Sequence, residues 1–132
     1  MPARYGIDTS VLMRLLTGDP DAGFRHVVSR LTELLERKQA EIFASNQVIG
    51  EAYVALQHHY GASRLEARNG LISVLTSGLV SPLHREAALD ALRARTGCGL
   101  LDRLIAQEYR QLGIITLTLD RKMAALPNVQ NL

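Results

Sequence analysis

Ile114-Ile115-Thr116-Leu117-Thr118, with Leu119-Asp120 behind it, is a short apolar run rich in β-branched residues. Such a run reads as a strand. The segment before it, Leu100 to Leu112, carries a helical pattern that stops at Gly113. Helix, glycine, strand and acid therefore follow one another here, and working back towards the N-terminus the same alternation recurs. Tyr5-Gly6-Ile7 predicts a first strand, ended by the cap-forming residues Asp8-Thr9-Ser10. Val11 to Leu16 predicts a short helix. Asp21 to about Arg37 predicts a long one, with Val27, Val28, Leu31, Leu34 and Leu35 on one stripe. Glu41 to Ala44 predicts a second strand. Ser45 or Asn46 then caps a helix to about Tyr60, and Ser63 starts another that closes near Gly78. Leu79-Val80-Ser81 predicts a third strand, and Pro82 suits the first turn of a helix to about Arg95. After Asp120 the pattern predicts a brief helix to Leu126 and an edge strand near Pro127-Asn128-Val129.

Strands alternating with helices imply an α/β fold with a largely parallel sheet. Ligands of such folds sit beyond the carboxyl ends of the strands. Four acids stand where that rim would be. Asp8 follows the first strand, Asp120 follows the strand at 114–118, Glu51 lies within two turns of the second strand, and Asp102 opens a helix. Each has a structural reading too: Asp8 and Asp120 as caps or turn formers, Asp102 as a charge favoured in a helix's first turn. Glu51 stands apart, because its flanks Val48-Ile49-Gly50 and Ala52-Tyr53-Val54 are apolar and no basic residue lies three or four positions away. A carboxylate buried there needs a partner. Clustered carboxylate oxygens are the ligands that Mg²⁺ and Mn²⁺ prefer.

The 132 residues correspond to about one domain, taken as 1–132. With 47% hydrophobic and 21% charged residues the composition is that of a soluble globular protein. No apolar stretch is long enough for a membrane span, and the N-terminus lacks a signal-peptide pattern. Cys98 is the only cysteine, which excludes an internal disulfide and makes a reducing cytoplasm the expected setting. Set between two glycines, it reads as a small residue filling a turn rather than as a nucleophile. The net charge of +2 permits a nucleic-acid partner without demanding one. Without Trp, and with only 5% aromatics, a stacking platform for single strands is not expected. Zinc, dinucleotide and serine-nucleophile motifs are missing.

Four segments together resemble the PIN-domain ribonucleases, and within them the compact VapC-type toxins of toxin–antitoxin pairs. They are Tyr5 to Leu12, Ser45 to Glu51, Gly97 to Ala106 and Leu117 to Met123, in order across nearly the whole chain. The resemblance implies a three-layer fold with a central, mostly parallel sheet of four to five strands flanked by helices. It implies that Asp8, Glu51, Asp102 and Asp120 form an acidic site for one or two Mg²⁺ or Mn²⁺ ions. Ser10 and Thr118 would support that site by hydrogen bonds to carboxylates or metal-bound water. Arg14, Arg103, Arg121 and Lys122 flank the acids and would contact phosphates. The implied activity is endonucleolytic RNA cleavage, and the implied partners are an antitoxin protein and a second copy of the chain. The helices at 46–60 and 63–76 are candidate interaction surfaces. The chain departs from the pattern at Gly99 and Lys122, where many relatives carry acids, and at Met123, where Phe is common. Two rival readings are a PIN-like module that binds RNA or protein without cutting, and a receiver-like signalling domain. The second lacks an acidic pair at the first strand and an acceptor Asp after the middle one.

Overall fold

The computed structural model describes residues 2–132. Its elements alternate as expected: β1 (Arg4–Gly6), α1 (Thr9–Thr17), α2 (Asp21–Lys38), β2 (Glu41–Ala44), α3 (Asn46–Tyr60), α4 (Arg64–Leu75), β3 (Ser81–Pro82), α5 (Arg85–Arg93), α6 (Leu100–Gln111), β4 (Thr116–Thr118), a 3₁₀ turn (Met123–Ala125) and β5 (Val129–Asn131). The α/β fold is present, and every strand pair is parallel. The strands form two ladders rather than one sheet. β1, β2 and β3 make one, in the order β1-β2-β3, and β4 with β5 makes the other.

Local chemistry explains most of the boundaries. Asp8 caps α1, and Gly18 ends it in the left-handed region at φ 66°. The Ser45 hydroxyl accepts from the Val48 amide and starts α3. Ser63 and Glu66 form a reciprocal capping box at α4. Three expectations need correction. Asp21 does not cap α2; Pro20 holds that place, and Asp21 pairs with Arg25 one turn on. Pro82 does not open a helix. It closes β3, where its missing N–H is tolerated because β3 is an edge strand, and the helix waits until Arg85. The stretch after Asp120 makes only a 3₁₀ turn.

The main core fills the space between the first ladder and α1 to α6, with Leu12, Ile49, Leu71, Val80, Leu92 and Leu100 almost fully enclosed. α3 and α6 approach closely at Gly50, where a Cβ would lie 2.9 Å from Leu101 Cδ2. Asn46 ties the same pair, its Nδ2 donating to the Leu104 carbonyl at 3.0 Å. A second, small cluster of Cys98, Ala106, Met123 and Val129, with Leu126 against it, seats the β4–β5 unit on α6.

Candidate active site

The four acids come together as two pairs. Asp8 lies two residues past β1, at the start of α1. Its Oδ1 accepts from the Ser10 hydroxyl at 2.5 Å and from the amides of Ser10 and Val11 at 3.0 and 3.3 Å. These bonds, the Ser10 hydroxyl first, hold its carboxyl below the usual range. Glu51 sits in the second turn of α3. Its carboxylate accepts from the Thr9 hydroxyl at 2.5 Å and from Gln47 Nε2 at 3.3 Å. Those bonds, Thr9 first, hold its carboxyl low as well, while the charge of Asp8 pushes the other way. That opposing push marks the two acids as neighbours. Glu51 does not meet the burial cost that its apolar flanks suggested: it is exposed, and Ile49, Ala52 and Tyr53 beside it in sequence turn inward without it.

Asp102 is half-buried in the first turn of α6, and Asp120 is exposed beyond β4. The Asp120 carboxylate accepts from the Met123 amide at 2.8 Å and so caps the 3₁₀ turn. Both line a cavity of about 790 Å³ whose wall also carries Gln57, His58, Arg64 and Lys122. Both also act on Cys98. Burial chiefly pushes that thiol up, Arg103 pulls it down, and the charges of Asp102 and Asp120 add to the rise. A buried thiol with a raised pKa is not a nucleophile, which agrees with the space-filling reading.

A family model described as PIN domain matches residues 5–129. The chain belongs to the PIN domain family. Among solved structures it is similar to a chain of the VapBC2 crystal structure from Rickettsia felis, bound to a DNA fragment from its promoter. The identity is 17%, the coverage 98% of this chain and 97% of that one, and the TM-score 0.41. No curated protein matches it.

As donors, four carboxylates suit a hard divalent cation. Among the described residues, no group of three or more His, Cys, Asp or Glu side chains is placed to hold a metal ion. Asp8 and Glu51 are neighbours, and Asp102 and Asp120 line one cavity.

The flanking residues divide in the same way. Ser10 supports a carboxylate as expected. Thr118 does not; its hydroxyl accepts from the Asp120 amide at 3.0 Å, which fixes the backbone rather than the acid. Arg14 folds back on its own turn, within 3.5 Å of the Asp19 carbonyl. Arg103 is occupied by the Cys98 and Thr96 carbonyls at 3.2 and 2.6 Å. Gly97 lies against its guanidinium, at φ 84°, where a Cβ would meet Nη2 at 2.9 Å. Arg121 and Lys122 are exposed, and Lys122 faces the acid-lined cavity. Of the departures, Gly99 is the N-cap of α6 and Met123 is buried in the small cluster.

Sequence reasoning missed Thr9 and Gln47, the partners of Glu51. Gln47 was legible, since residues four apart share a helix face. Thr9 was read only as a capping residue, and nothing local tied it to a helix 42 positions away.

Proposed function

We propose that this PIN domain is a metal-dependent endoribonuclease, the toxin of a toxin–antitoxin pair, that cuts single-stranded or looped RNA. The observation that carries the reading is the family match across 5–129 with an acid at each of the four motif positions, Asp8, Glu51, Asp102 and Asp120. Two of these acids follow parallel strands, where α/β folds bind ligands. The acids would hold one or two Mg²⁺ or Mn²⁺ ions. Polarisation of a phosphodiester oxygen and activation of a water are what such an ion supplies when bound.

The chain's own residues prepare that chemistry. Ser10 keeps Asp8 ionised, and Thr9 and Gln47 do the same for Glu51. Lys122, Arg64 and Arg121 supply exposed cations for phosphate. Arg103 is a positioning residue in this reading, because it holds the Cys98 and Thr96 carbonyls, whereas Arg14, with one long bond to the Asp19 carbonyl, keeps donors for phosphate. An antitoxin and a second copy are the proposed partners, and the cytoplasm is the proposed setting. Among the described residues, no helix is long and apolar enough to cross a membrane.

The test is incubation of antitoxin-free protein with total RNA in Mg²⁺, in Mn²⁺ and in EDTA, with Asp8→Asn alongside. Discrete fragments are expected with either metal, and none with EDTA or with the variant. Cutting by a folded Asp8→Asn protein at the parent rate would end the assignment. A second reading, a PIN-like module that binds RNA or protein without cutting, is favoured by one observation: among the described residues no three carboxylates form a group placed for a metal ion. Metal calorimetry that finds no binding to folded protein would select it.

A further inference from the structure

The cavity that holds Asp102 and Asp120 carries more positive than negative charge. Arg64, Arg68, Arg95 and Lys122 line it with those two acids. Among the described residues, none of these four cations forms an ion pair. Two of them are fixed by neutral groups. Arg68 Nη1 donates to the carbonyls of Ala91, Leu92 and Ala94 at 2.8, 3.1 and 2.9 Å. Arg95 Nη1 donates to the Leu92 carbonyl at 3.0 Å, and its Nη2 to Asn69 Oδ1 at 3.3 Å. These bonds cap the end of α5, and they orient both guanidinium groups without removing their charge. Capping does not account for Arg64 or Lys122, which are exposed. Arg64 stands in the first turn of α4, where the positive end of a helix disfavours a cation. Helix stability alone selects against it.

The same cavity has an apolar part. Val54, Leu65 and Leu101 line it and are 37%, 50% and 42% exposed. Its volume of about 790 Å³ lies within the range of small-ligand sites, roughly 300–1,000 Å³. Gly99 and Lys122, two of the departures from the PIN pattern, both line it and leave it less acidic than carboxylates there would. Cations beside an open apolar surface fit an anionic group joined to a flat ring.

We infer that this cavity is a nucleotide pocket, taking one ribonucleotide of a single-stranded RNA next to the phosphate to be cut. Arg64 and Lys122 hold its phosphate, and Arg68 and Arg95 supply a fixed positive background. The base lies on Leu65, Leu101 and Val54. An unstacked base needs such a surface, and aliphatic side chains provide it in a chain with few aromatics. The position next to the cut rests on the nuclease reading; the pocket does not.

Calorimetry in EDTA reads the pocket without a metal ion. The probes are adenosine monophosphate, adenosine and inorganic phosphate. The nucleotide is expected to bind about tenfold or more tightly than either fragment, since each fragment makes only part of the contacts. A fragment that binds as tightly as the nucleotide would overturn the inference, as would no binding of the nucleotide. Arg64→Ala should weaken the nucleotide about tenfold while Tm stays level or rises, because the helix end loses an unfavourable charge. A lower Tm with unchanged affinity would make Arg64 a structural residue and end the proposal. Lys122→Ala, on a different element, should weaken binding in the same direction, so the test does not hang on one variant. Arg30→Ala on α2, outside the cavity wall, is the control; an equal loss there would reduce the effect to net charge and overturn the pocket.

A single-stranded oligoribonucleotide should displace the bound nucleotide in EDTA, where nothing is cut. Failure to displace it would overturn the strand's place in the cavity. A parent that binds the nucleotide but cuts no RNA in Mg²⁺ would keep the pocket and remove the nuclease. A parent that cuts RNA but binds no nucleotide would keep the nuclease and remove the pocket.

Discussion

Around β1, β2 and β3 the apolar strand residues Ile42, Phe43 and Ala44 are buried, while in the β4–β5 unit Ile115, Leu117 and Leu119 face solvent. Both regions are parallel ladders. They differ in cover. The first is enclosed by a cluster of eighteen buried residues drawn from helices and strands alike. The second has four, all on the side that meets α6. A two-stranded ladder has little stability of its own. The first ladder therefore sets the stability of the fold, whereas the second is a seated unit with one apolar side open. Asp8 and Glu51 stand on the first region, Asp120 on the second, and Asp102 on α6, which packs against both.

The largest effect is expected in the enclosed region. Leu12 is completely buried beneath α1. Leu12→Ala should cost about 2–5 kcal/mol, read as a lower denaturation midpoint with one transition for all probes. A loss confined to residues 114–132 would reverse the ranking of the two regions.

A smaller effect is expected at the joint. Arg103 holds the 96–98 loop through two carbonyls, and Cys98 of that loop belongs to the cluster beneath the β4–β5 unit. Arg103→Leu should cost about 1.5–3 kcal/mol locally. Hydrogen exchange should quicken across 114–132 and stay unchanged in α3 and α4. Equal acceleration everywhere would show that the two regions open as one.

The order of elements and the α/β class were legible because periodicity, caps and glycine stops are local. The pairing of strands was not. Nothing within Ile114 to Thr118 says which edge it joins, and the expected single sheet became two ladders. Pro82 was misread because an open first helical turn and an edge strand both tolerate a missing N–H. Glu51 was misjudged for a geometric reason. On a helix it shares a face with Gln47, Val54 and His58, all exposed, while its apolar neighbours Ile49, Ala52 and Tyr53 point into the core. Four acid positions were legible as types, and their grouping was not, because it follows from how α3, α6 and the ladders pack.

Within the enclosed region, the α4 cap is expected to contribute less than the core. Ser63→Ala should cost about 1 kcal/mol. Its partner Glu66 adds a pH signature. Hydrogen bonds from the Ser63 amide and hydroxyl hold the Glu66 carboxyl below 4.5. A depressed carboxyl stabilises the fold above its unfolded value and loses that contribution as pH falls through the folded one. The parent should therefore lose more stability than Glu66→Gln below about pH 4.5, and the two should run parallel above it. Divergence at neutral pH would place the charge of Glu66 in some other contact.

The smallest effect is expected at Leu119, the most exposed large apolar residue of the β4–β5 unit. If its side chain meets only water in the isolated chain, Leu119→Lys should change stability by no more than about 0.5 kcal/mol. A leucine packed inside its own chain would cost several times that when replaced by a charge, and such a result would close the gap between the two regions. The measurement is thermal unfolding at a series of protein concentrations. If copies associate through this face, the parent's Tm should rise with concentration, because association stabilises the folded state by mass action. The variant's Tm should match the parent's at the lowest concentration and stay flat, since a lysine on the open strand blocks addition of a partner edge. A flat Tm in both proteins would mean that the exposed face is simply solvated, and a rise in both would place the contact between copies elsewhere on the surface.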